Sequence, residues 1–288
     1  MIQIAARKQT VSGAGLDLKF ERLNSILRER LTDGLIVAFS GGVDSALLLW
    51  AAEQERKRSG GELLALTTAS ESLSAAERKD VESFVAAHNI EHVWRDSREL
   101  LDEKYLANDS SRCFHCKSEL FRICAEVAAG RGLRTVAYGY NASDRGDVRP
   151  GHQAALDHNV IAPLADADLT KDDIRESMRM NGLEMSEKPA SPCLSSRIMT
   201  GVPITGPKLK IVEDLEAVLR LHGLRVFRVR LHESNGAQLA RLEVAPDEME
   251  AAFLLRDVLT AEAKRHGVRW ITIDLAGYMT GGGNASAA

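Results

Sequence analysis

The sequence predicts an α/β fold, in which helices cover both faces of a mainly parallel sheet and a smaller α+β domain follows. In the first two thirds of the chain, short apolar runs alternate with amphipathic stretches, which is typical of parallel strands joined by helices. After about residue 200 the order changes to helix, two strands, helix and strand. We therefore expect one domain over residues 1–200 and a second over residues 201–288.

Four apolar runs of the first domain are predicted strands because Val and Ile are frequent in them and turn residues flank them. They cover residues 35–39, 63–68, 91–95 and 134–139. Ser74 and Glu77 are spaced as a capping box at the start of a helix. Thr170 and Asp173 indicate another helix start, and Gly182 indicates its end.

The second domain begins with a helical pattern over residues 207–222. Strands are expected at 225–232 and 238–245, a single helix at 247–266, and a last strand at 270–275. The final residues, GGGNASAA (281–288), are expected to form a flexible tail.

Composition restricts the class of protein. The chain has 288 residues, is 44% hydrophobic and carries a net charge of −4, so long nucleic acid is an unfavoured partner. No apolar run approaches the roughly 20 residues of a membrane helix, and the start lacks the apolar segment of a signal peptide. We therefore expect no membrane association and a reducing, cytoplasmic compartment. Four cysteines in such a chain suggest metal or sulfur chemistry rather than a disulfide scaffold.

The stretch LIVAFSGGVDSALLLW (35–50) is a strand, a small-residue turn and a helix. Gly41 and Gly42 allow a tight bend, and the N–H groups that begin the helix suit an anion. Ser40 and Ser45 add hydroxyl donors, and Asp44 is placed to bind Mg²⁺ beside a polyphosphate. The alternative is an ordinary strand–helix turn with a capping Asp. The Gly-Lys-Ser/Thr of the common nucleotide-binding P-loop is absent.

With its flanking strand and helix, SGGVDS resembles the loop of the PP-loop ATP pyrophosphatases. That resemblance implies the adenine nucleotide alpha hydrolase-like fold, and cleavage of ATP to AMP and pyrophosphate to adenylylate a substrate. Four further stretches resemble the LarE family of this superfamily, in the same order and over nearly the whole chain: SRCFHCKSELF, GYNASDRGDVRPG, SPCLSSRI and DLAGYMTGG.

LarE proteins are ATP-dependent sulfur transferases in the biosynthesis of the nickel-pincer cofactor. The resemblance implies a small-molecule substrate, pyridinium-3,5-biscarboxylic acid mononucleotide, whose carboxylates are adenylylated and then converted to thiocarboxylates. It also implies a homo-oligomer. The sequence does not identify the sulfide donor.

In this family the sulfur-bearing cysteine lies in the motif PCLSSR, which corresponds to Cys193. In one type of the family that cysteine gives up its own sulfur. In another, three cysteines hold a [4Fe–4S] cluster whose open iron carries a sulfide, and Cys113 and Cys116 supply the additional pair here. A zinc half-site, a redox pair and a sacrificial Cys193 remain alternatives. We expect all three cysteines in loops, whereas Cys124 shares an apolar helical stripe and is expected in the core.

Arg228 and Arg230 alternate with apolar residues in VFRVRLH and so lie on one face of a strand. Two guanidinium groups can bind a phosphate, although a solvated basic face has the same pattern. The family uses a matching Arg-x-Arg for phosphate, which implies a site for the phosphate of the mononucleotide. Ser196 and Arg197 would position this ligand beside Cys193.

The remaining candidates are assigned by their position in the chain. Asp144, with Asp147 and Arg149, lies in a loop at the carboxyl end of a strand, where α/β sheets place ligands. We expect Asp144 to orient Mg²⁺ or the activated carboxylate. Thr68 and Ser70 are candidates for contact with adenosine, and Glu216 is a weaker candidate because most helical glutamates are solvated.

Competing functions remain open at this point. A cluster-dependent tRNA thiolase combines the same loop with three cysteines, but the acidic composition and the LarE-like second domain disfavour it. Amide-forming relatives such as NAD synthetase do not explain the cysteines. A non-catalytic, nucleotide-responsive iron–sulfur or zinc protein is the alternative outside enzymes, and turnover of ATP to AMP would distinguish it.

Overall fold

The computed structural model describes residues 11–146, 150–188 and 193–279. Asp147, Arg149 and the tail at 281–288 lie outside these ranges. None of the helices in the described ranges combines the length and apolar composition needed to cross a bilayer.

A four-stranded sheet confirms the strands expected in the first domain. Its strands are β1 (Leu35–Ala38), β2 (Leu63–Ala69), β3 (His92–Asp96) and β4 (Thr135–Tyr138). The spatial order is β3-β2-β1-β4, and β1 pairs in parallel with both β2 and β4. All four residues of β1 are buried, because helices cover the central strand of the sheet on both faces. The α/β fold class is therefore confirmed.

Eight helices precede the second domain in the described chain. They are α1 (Val11–Thr32), α2 (Val43–Ser59), α3 (Ala75–His88), α4 (Glu103–Leu106), α5 (Arg112–Arg131), α6 (Pro150–Asp157), α7 (Pro163–Asp166) and α8 (Lys171–Met180). The expected capping box forms at Ser74 and Glu77, and the helix start expected at Thr170 and Asp173 is also a capping box. The Ser74 and Glu77 side chains bond to each other's backbone N–H, and those of Thr170 and Asp173 do the same at the start of α8.

A three-stranded sheet and three helices form the C-terminal part. The helices are α9 (Gly206–Leu221), α10 (Met249–Leu254) and α11 (Arg256–Arg265). The strands β5 (Phe227–Ser234), β6 (Ala237–Val244) and β7 (Trp270–Ile273) lie in the order β5-β6-β7. The expected single helix at 247–266 is wrong. A short 3₁₀ turn precedes α10, and the Leu255 amide bonds to the Ala252 carbonyl at the junction of α10 and α11. This hydrogen bond spans three residues, as in a 3₁₀ turn, and so interrupts the α-helical pattern between α10 and α11.

The chain divides into two compact units that interleave along the sequence. The first unit comprises Met1–Thr68, Lys79–Arg95 and Leu120–Lys188, and the second comprises Ala69–Arg78, Asp96–Glu119 and Pro189–Ala288. Each has its own apolar core, which contains Leu27 and Val37 in the first unit and Leu215 and Val229 in the second. The boundary expected between residues 200 and 201 stays a prediction.

Candidate functional site

The phosphate loop, Ser40–Ser45, joins β1 to α2 in the first unit. Gly41 has φ +69°, a conformation that side chains disfavour. The Ser40 and Ser45 hydroxyl groups lie 3.1 Å apart, and Ser45 Oγ donates to the Gly42 carbonyl at 3.0 Å. Gly42 is the N-cap of α2 and offers no capping side chain. The first N–H groups of α2 are therefore available to an anion, in line with the expected phosphate site.

The end of β4 packs directly against this loop. A Cβ atom added to Gly139 would lie 2.7 Å from the Ser45 nitrogen and 3.0 Å from the Asp44 carbonyl carbon. Only glycine fits at this distance, so Gly139 helps to fix the first turn of α2. No local pattern in the sequence indicates this role, because Gly139 and Ser45 are far apart along the chain.

Asp44 and Asp144 lie near each other in the first unit. Burial, and then the Asp144 charge, raise the pKa of Asp44 to about 6, while the Lys171 and Arg175 charges oppose that shift. Asp144 is buried in a 3₁₀ turn after β4, and Lys171 Nζ lies 2.9 Å from its Oδ1.

Asn141 adds an amide oxygen to this pair of carboxylates. Its side chain is fully buried and lowers the pKa of Asp44, yet neither amide atom has a hydrogen-bond partner of good geometry among the described residues. An orphaned buried amide is rare. Two carboxylates and an amide oxygen form a set of hard oxygen donors that fits Mg²⁺.

The cysteine site lies in the second unit. Cys113 and Cys116 occupy the first two turns of α5, so the expectation that both lie in loops is wrong. Cys193 precedes a 3₁₀ turn over Leu194–Arg197, as expected for a loop residue. Ser196 Oγ and Arg197 Nη1 donate to the Cys193 carbonyl oxygen at 2.7 Å and 3.1 Å. Both therefore fix the backbone that carries this thiol.

The three thiols share one electrostatic neighbourhood. Burial raises the pKa of Cys193, the Arg112 guanidinium opposes that rise, and the charges of Glu99 and Cys113 add to it. Burial likewise raises the pKa of Cys116, with further contributions from Glu99 and Cys193. The three sulfur atoms are not all within 4.8 Å of one another, since the one group of metal-ligand atoms that meets this limit in the described ranges is Asp214, Glu262 and His266.

A buried hydrogen-bond network adjoins the thiols, and its central carboxylate was not foreseen. Glu99 Oε1 accepts hydrogen bonds from Ser70 at 2.6 Å and from Ser72 at 2.5 Å. The Tyr105 hydroxyl lies 3.4 Å from the same oxygen and 2.6 Å from Ser195 Oγ. Ser70 was expected to contact adenosine. In the structure its hydroxyl group donates to Glu99 and belongs to this network in the second unit.

Thr68 and Cys124 are two further predicted positions. Thr68 is partly exposed near the end of β2, in the first unit. Cys124 is fully buried on α5, which confirms its expected place in the core.

Arginine side chains cluster behind the Cys193 turn. Arg197 Nε and Nη2 bind the two oxygens of Glu216 at 2.9 Å and 3.3 Å. Arg230 Nε lies 3.1 Å from Glu243 Oε2, and its Nη1 donates to the Ser196 carbonyl at 2.9 Å. The Glu216 side chain is therefore no solvated helical glutamate.

Arg228 completes the cluster. Its Nη2 lies 3.3 Å from the Tyr278 hydroxyl, and its guanidinium lies over the Tyr278 ring at 5.3 Å. Gly277 (φ +74°) directs Tyr278 into this place, and a Cβ at Gly277 would lie 2.9 Å from the Val244 oxygen. Arg228 and Arg230 are only 7% and 6% exposed, so they do not form a solvated basic face.

Charged side chains pack closely together in this cluster. Three buried guanidinium groups, those of Arg197, Arg228 and Arg230, adjoin the two carboxylates of Glu216 and Glu243. Burial lowers the pKa of Arg228, and the Arg197 and Arg230 charges contribute. Guanidinium groups can bind a phosphate through two hydrogen bonds at once, so this cluster is a candidate site for a phosphate group.

Known proteins resemble the chain over almost its full length. An uncharacterized protein of Synechocystis is 34% identical over 270 residues, which cover 92% of this chain and 97% of that protein. The pyridinium-3,5-bisthiocarboxylic acid mononucleotide synthase of Lactiplantibacillus plantarum is 27% identical over 98% of this chain and 95% of its own length. An uncharacterized protein of Methanocaldococcus jannaschii is 25% identical over 90% of this chain and 97% of its own length. No family model matches the chain.

Proposed function

The chain belongs to the LarE family, and we propose that it is an ATP-dependent sulfur transferase acting on pyridinium-3,5-biscarboxylic acid mononucleotide. The product would be the corresponding thiocarboxylate, which agrees with the name of the Lactiplantibacillus relative. The observation that carries the proposal is the buried arginine cluster directly behind the Cys193 turn. Arg197 and Arg230 donate hydrogen bonds to the backbone of the turn that carries Cys193, so a phosphate bound by this cluster would lie near the cysteine motif.

Activation of the substrate would occur at the phosphate loop. The N–H groups at the start of α2 bind the phosphates of ATP, and Asp44, Asp144 and Asn141 would hold Mg²⁺, which neutralises phosphate charge. A carboxylate oxygen of the substrate attacks the α-phosphorus, the bond to the β-phosphate oxygen breaks, and pyrophosphate leaves. The resulting acyl-adenylate has a good leaving group, AMP, on its carbonyl carbon.

The second unit would supply the sulfur. Arg228 and Arg230 bind the phosphate of the mononucleotide, and Ser196 and Arg197 hold the backbone at Cys193. Sulfide from an external donor, delivered beside Cys193, attacks the acyl carbonyl and forms the carbon–sulfur bond. The bond to AMP breaks, AMP departs with both electrons, and the thiocarboxylate is free to leave. Burial raises the pKa of Cys193, and the nearby Arg112 guanidinium opposes that rise and so assists formation of the thiolate, the form that binds metal.

Cys113, Cys116 and Cys193 would hold a [4Fe–4S] cluster. The donor set fits, because three soft thiols lie in one neighbourhood and such ligands suit iron–sulfur clusters. When bound, the cluster would supply an iron that can carry a sulfide for transfer. The homo-oligomeric state implied by the family is part of the same proposal.

The test is a reaction with the purified mononucleotide, ATP and Mg²⁺ under anaerobic conditions. We expect AMP and pyrophosphate to form only when the substrate is present, and its mass to rise as oxygen is replaced by sulfur. Iron and sulfide analysis of the same preparation tests the cluster. Release of pyrophosphate with tRNA but not with the mononucleotide would contradict the proposal and favour a tRNA thiolase.

A further inference from the structure

Lys188 places a positive charge on the phosphate loop. Its Nζ donates a hydrogen bond to the Gly41 carbonyl oxygen at 2.8 Å and lies 2.6 Å from Asp80 Oδ2. The loop itself contains neither lysine nor arginine. Loops that bind nucleotide polyphosphates often carry a lysine that reaches the β- and γ-phosphates. Here a lysine 147 residues away from Gly41 in sequence occupies a comparable place.

The backbone that carries Lys188 is fixed, whereas its ammonium group can still accept another ligand. Arg175 on α8 donates to the Ser186 carbonyl at 2.5 Å and to the Lys188 carbonyl at 3.0 Å. The Lys188 side chain is 18% exposed, and its partner Asp80 is 44% exposed on α3. The contacts with Gly41 and Asp80 use two of the three donors of the ammonium group.

We propose that Lys188 binds the β- or γ-phosphate of ATP and remains with pyrophosphate as it leaves. The proposal rests on the ATP-dependent activation described above and adds a residue to that site. Negative charge grows on the pyrophosphate oxygen as its bond to the α-phosphorus breaks, and an ammonium group nearby stabilises that charge. Asp80 holds the ammonium group at the loop without nucleotide and competes with the phosphates for it.

The test compares three ligands, of which Mg²⁺–ATP and pyrophosphate contain the β-phosphate and AMP does not. Lys188→Met removes the charge and keeps much of the chain length. We expect it to weaken binding of Mg²⁺–ATP and of pyrophosphate by about tenfold or more, the effect of losing a charge-assisted hydrogen bond. Binding of AMP should not change. Isothermal titration calorimetry without the mononucleotide measures all three affinities.

Asp80→Asn and Lys79→Met provide the matched comparisons. Asp80→Asn removes the competing carboxylate, so ATP binding should stay equal or become tighter. Lys79 is an exposed neighbour on the same helix, and Lys79→Met should change none of the affinities. A purely structural ion pair predicts the opposite pattern, in which Lys188→Met and Asp80→Asn weaken AMP and ATP binding alike.

Two results would overturn the inference: an ATP affinity of Lys188→Met within about twofold of the wild type, or a loss of ATP binding in Asp80→Asn that equals the loss in Lys188→Met. If Lys188→Met does not fold, the affinities of Lys188→Arg and Asp80→Asn are measured instead. Lys188→Arg keeps the positive charge and should therefore still bind ATP more tightly than AMP. A wild-type protein that does not bind ATP contradicts the proposed function itself.

Discussion

Asp44 is a residue whose proposed role reduces stability. Its pKa in the folded protein is about 6, against an ordinary value of 3.8, because burial and Asp144 disfavour the charged form. Above pH 6 the folded protein must hold an ionised, poorly solvated carboxylate, which destabilises it relative to the unfolded chain. The penalty decreases as the pH falls from 6 to 4 and vanishes below that, and it corresponds to about 3 kcal/mol at most.

We therefore predict that Asp44→Asn, in chelator and without nucleotide, increases the free energy of unfolding by about 1–3 kcal/mol at pH 7.5. The gain should shrink to near zero at pH 4, and urea denaturation at several pH values measures it. The same variant should not release pyrophosphate. Asp17→Asn, at an exposed position of α1, is the control and should change neither quantity. A gain that does not vary with pH would contradict the argument, as would wild-type pyrophosphate release.

Substitution of Arg228 and substitution of Arg230 differ in the contacts that are lost. Arg230→Ala removes one of the two guanidinium partners of the buried Glu243, the other being Arg241 at 3.2 Å, and so disturbs a buried network of ion pairs. Arg228→Ala removes contacts with Tyr278 and is the better probe of substrate binding. We predict that it raises the KM for the mononucleotide about tenfold or more and leaves the KM for ATP unchanged.

Steady-state kinetics with each substrate varied in turn checks this prediction. Arg225→Ala is the matched control, because the Arg225 side chain is 79% exposed just before the same strand. An unchanged KM for the mononucleotide in Arg228→Ala would remove the phosphate site from the arginine cluster.

At the level of the elements, Gly139, which directly follows β4, lies against the first turn of α2. Alanine at position 139 would place a methyl group 2.7 Å from the Ser45 nitrogen, so the first turn of α2 must move. We predict that Gly139→Ala weakens Mg²⁺–ATP binding at least about tenfold, since the N–H groups of that turn are the proposed ligands of the phosphates. Gly130→Ala, on α5 with open space around it, should bind ATP normally. Calorimetry decides, and equal ATP binding by both variants would contradict the prediction.

The elements that the sequence predicts well are those with local causes. Apolar runs located the four parallel strands, and two capping boxes located the starts of α3 and α8. The junction at Leu255 was missed because the amphipathic pattern continues across it. The first two turns of α5 were missed because polar and cysteine residues obscure their helical period. A long-range hydrogen bond from Arg112 to the Ser195 carbonyl, 83 residues away in sequence, also holds them.

The whole molecule explains why the candidate sites were only partly predictable. The second unit draws Glu99 and Cys116 from one stretch of sequence, Ser72 from another and Cys193 from a third. Motifs can identify the cysteines because each has its own local pattern. Glu99 and Lys188 have no such pattern, and their partners are revealed only by the tertiary fold.

The division into two units also predicts that two kinds of defect are separable. Asp44 belongs to the first unit, whereas Cys113, Cys116 and Cys193 belong to the second. We predict that Asp44→Asn retains the iron and sulfide of the wild type but does not release pyrophosphate. Alanine at any one of the three cysteines should lose most of the iron and stop sulfur transfer, while substrate-dependent pyrophosphate release continues.

Iron and sulfide per chain after anaerobic purification, together with pyrophosphate release, measure both defects. Cys124→Ala is the matched control, because this buried cysteine on α5 should affect packing alone and retain iron and activity. A sacrificial Cys193 would give another pattern. Only Cys193→Ala would be inactive, and the wild-type chain would lose about 34 Da as the thiol sulfur leaves as H₂S equivalents. Full multi-turnover activity in the Cys113→Ala/Cys116→Ala double variant would contradict the cluster, because that variant lacks two of its three protein ligands.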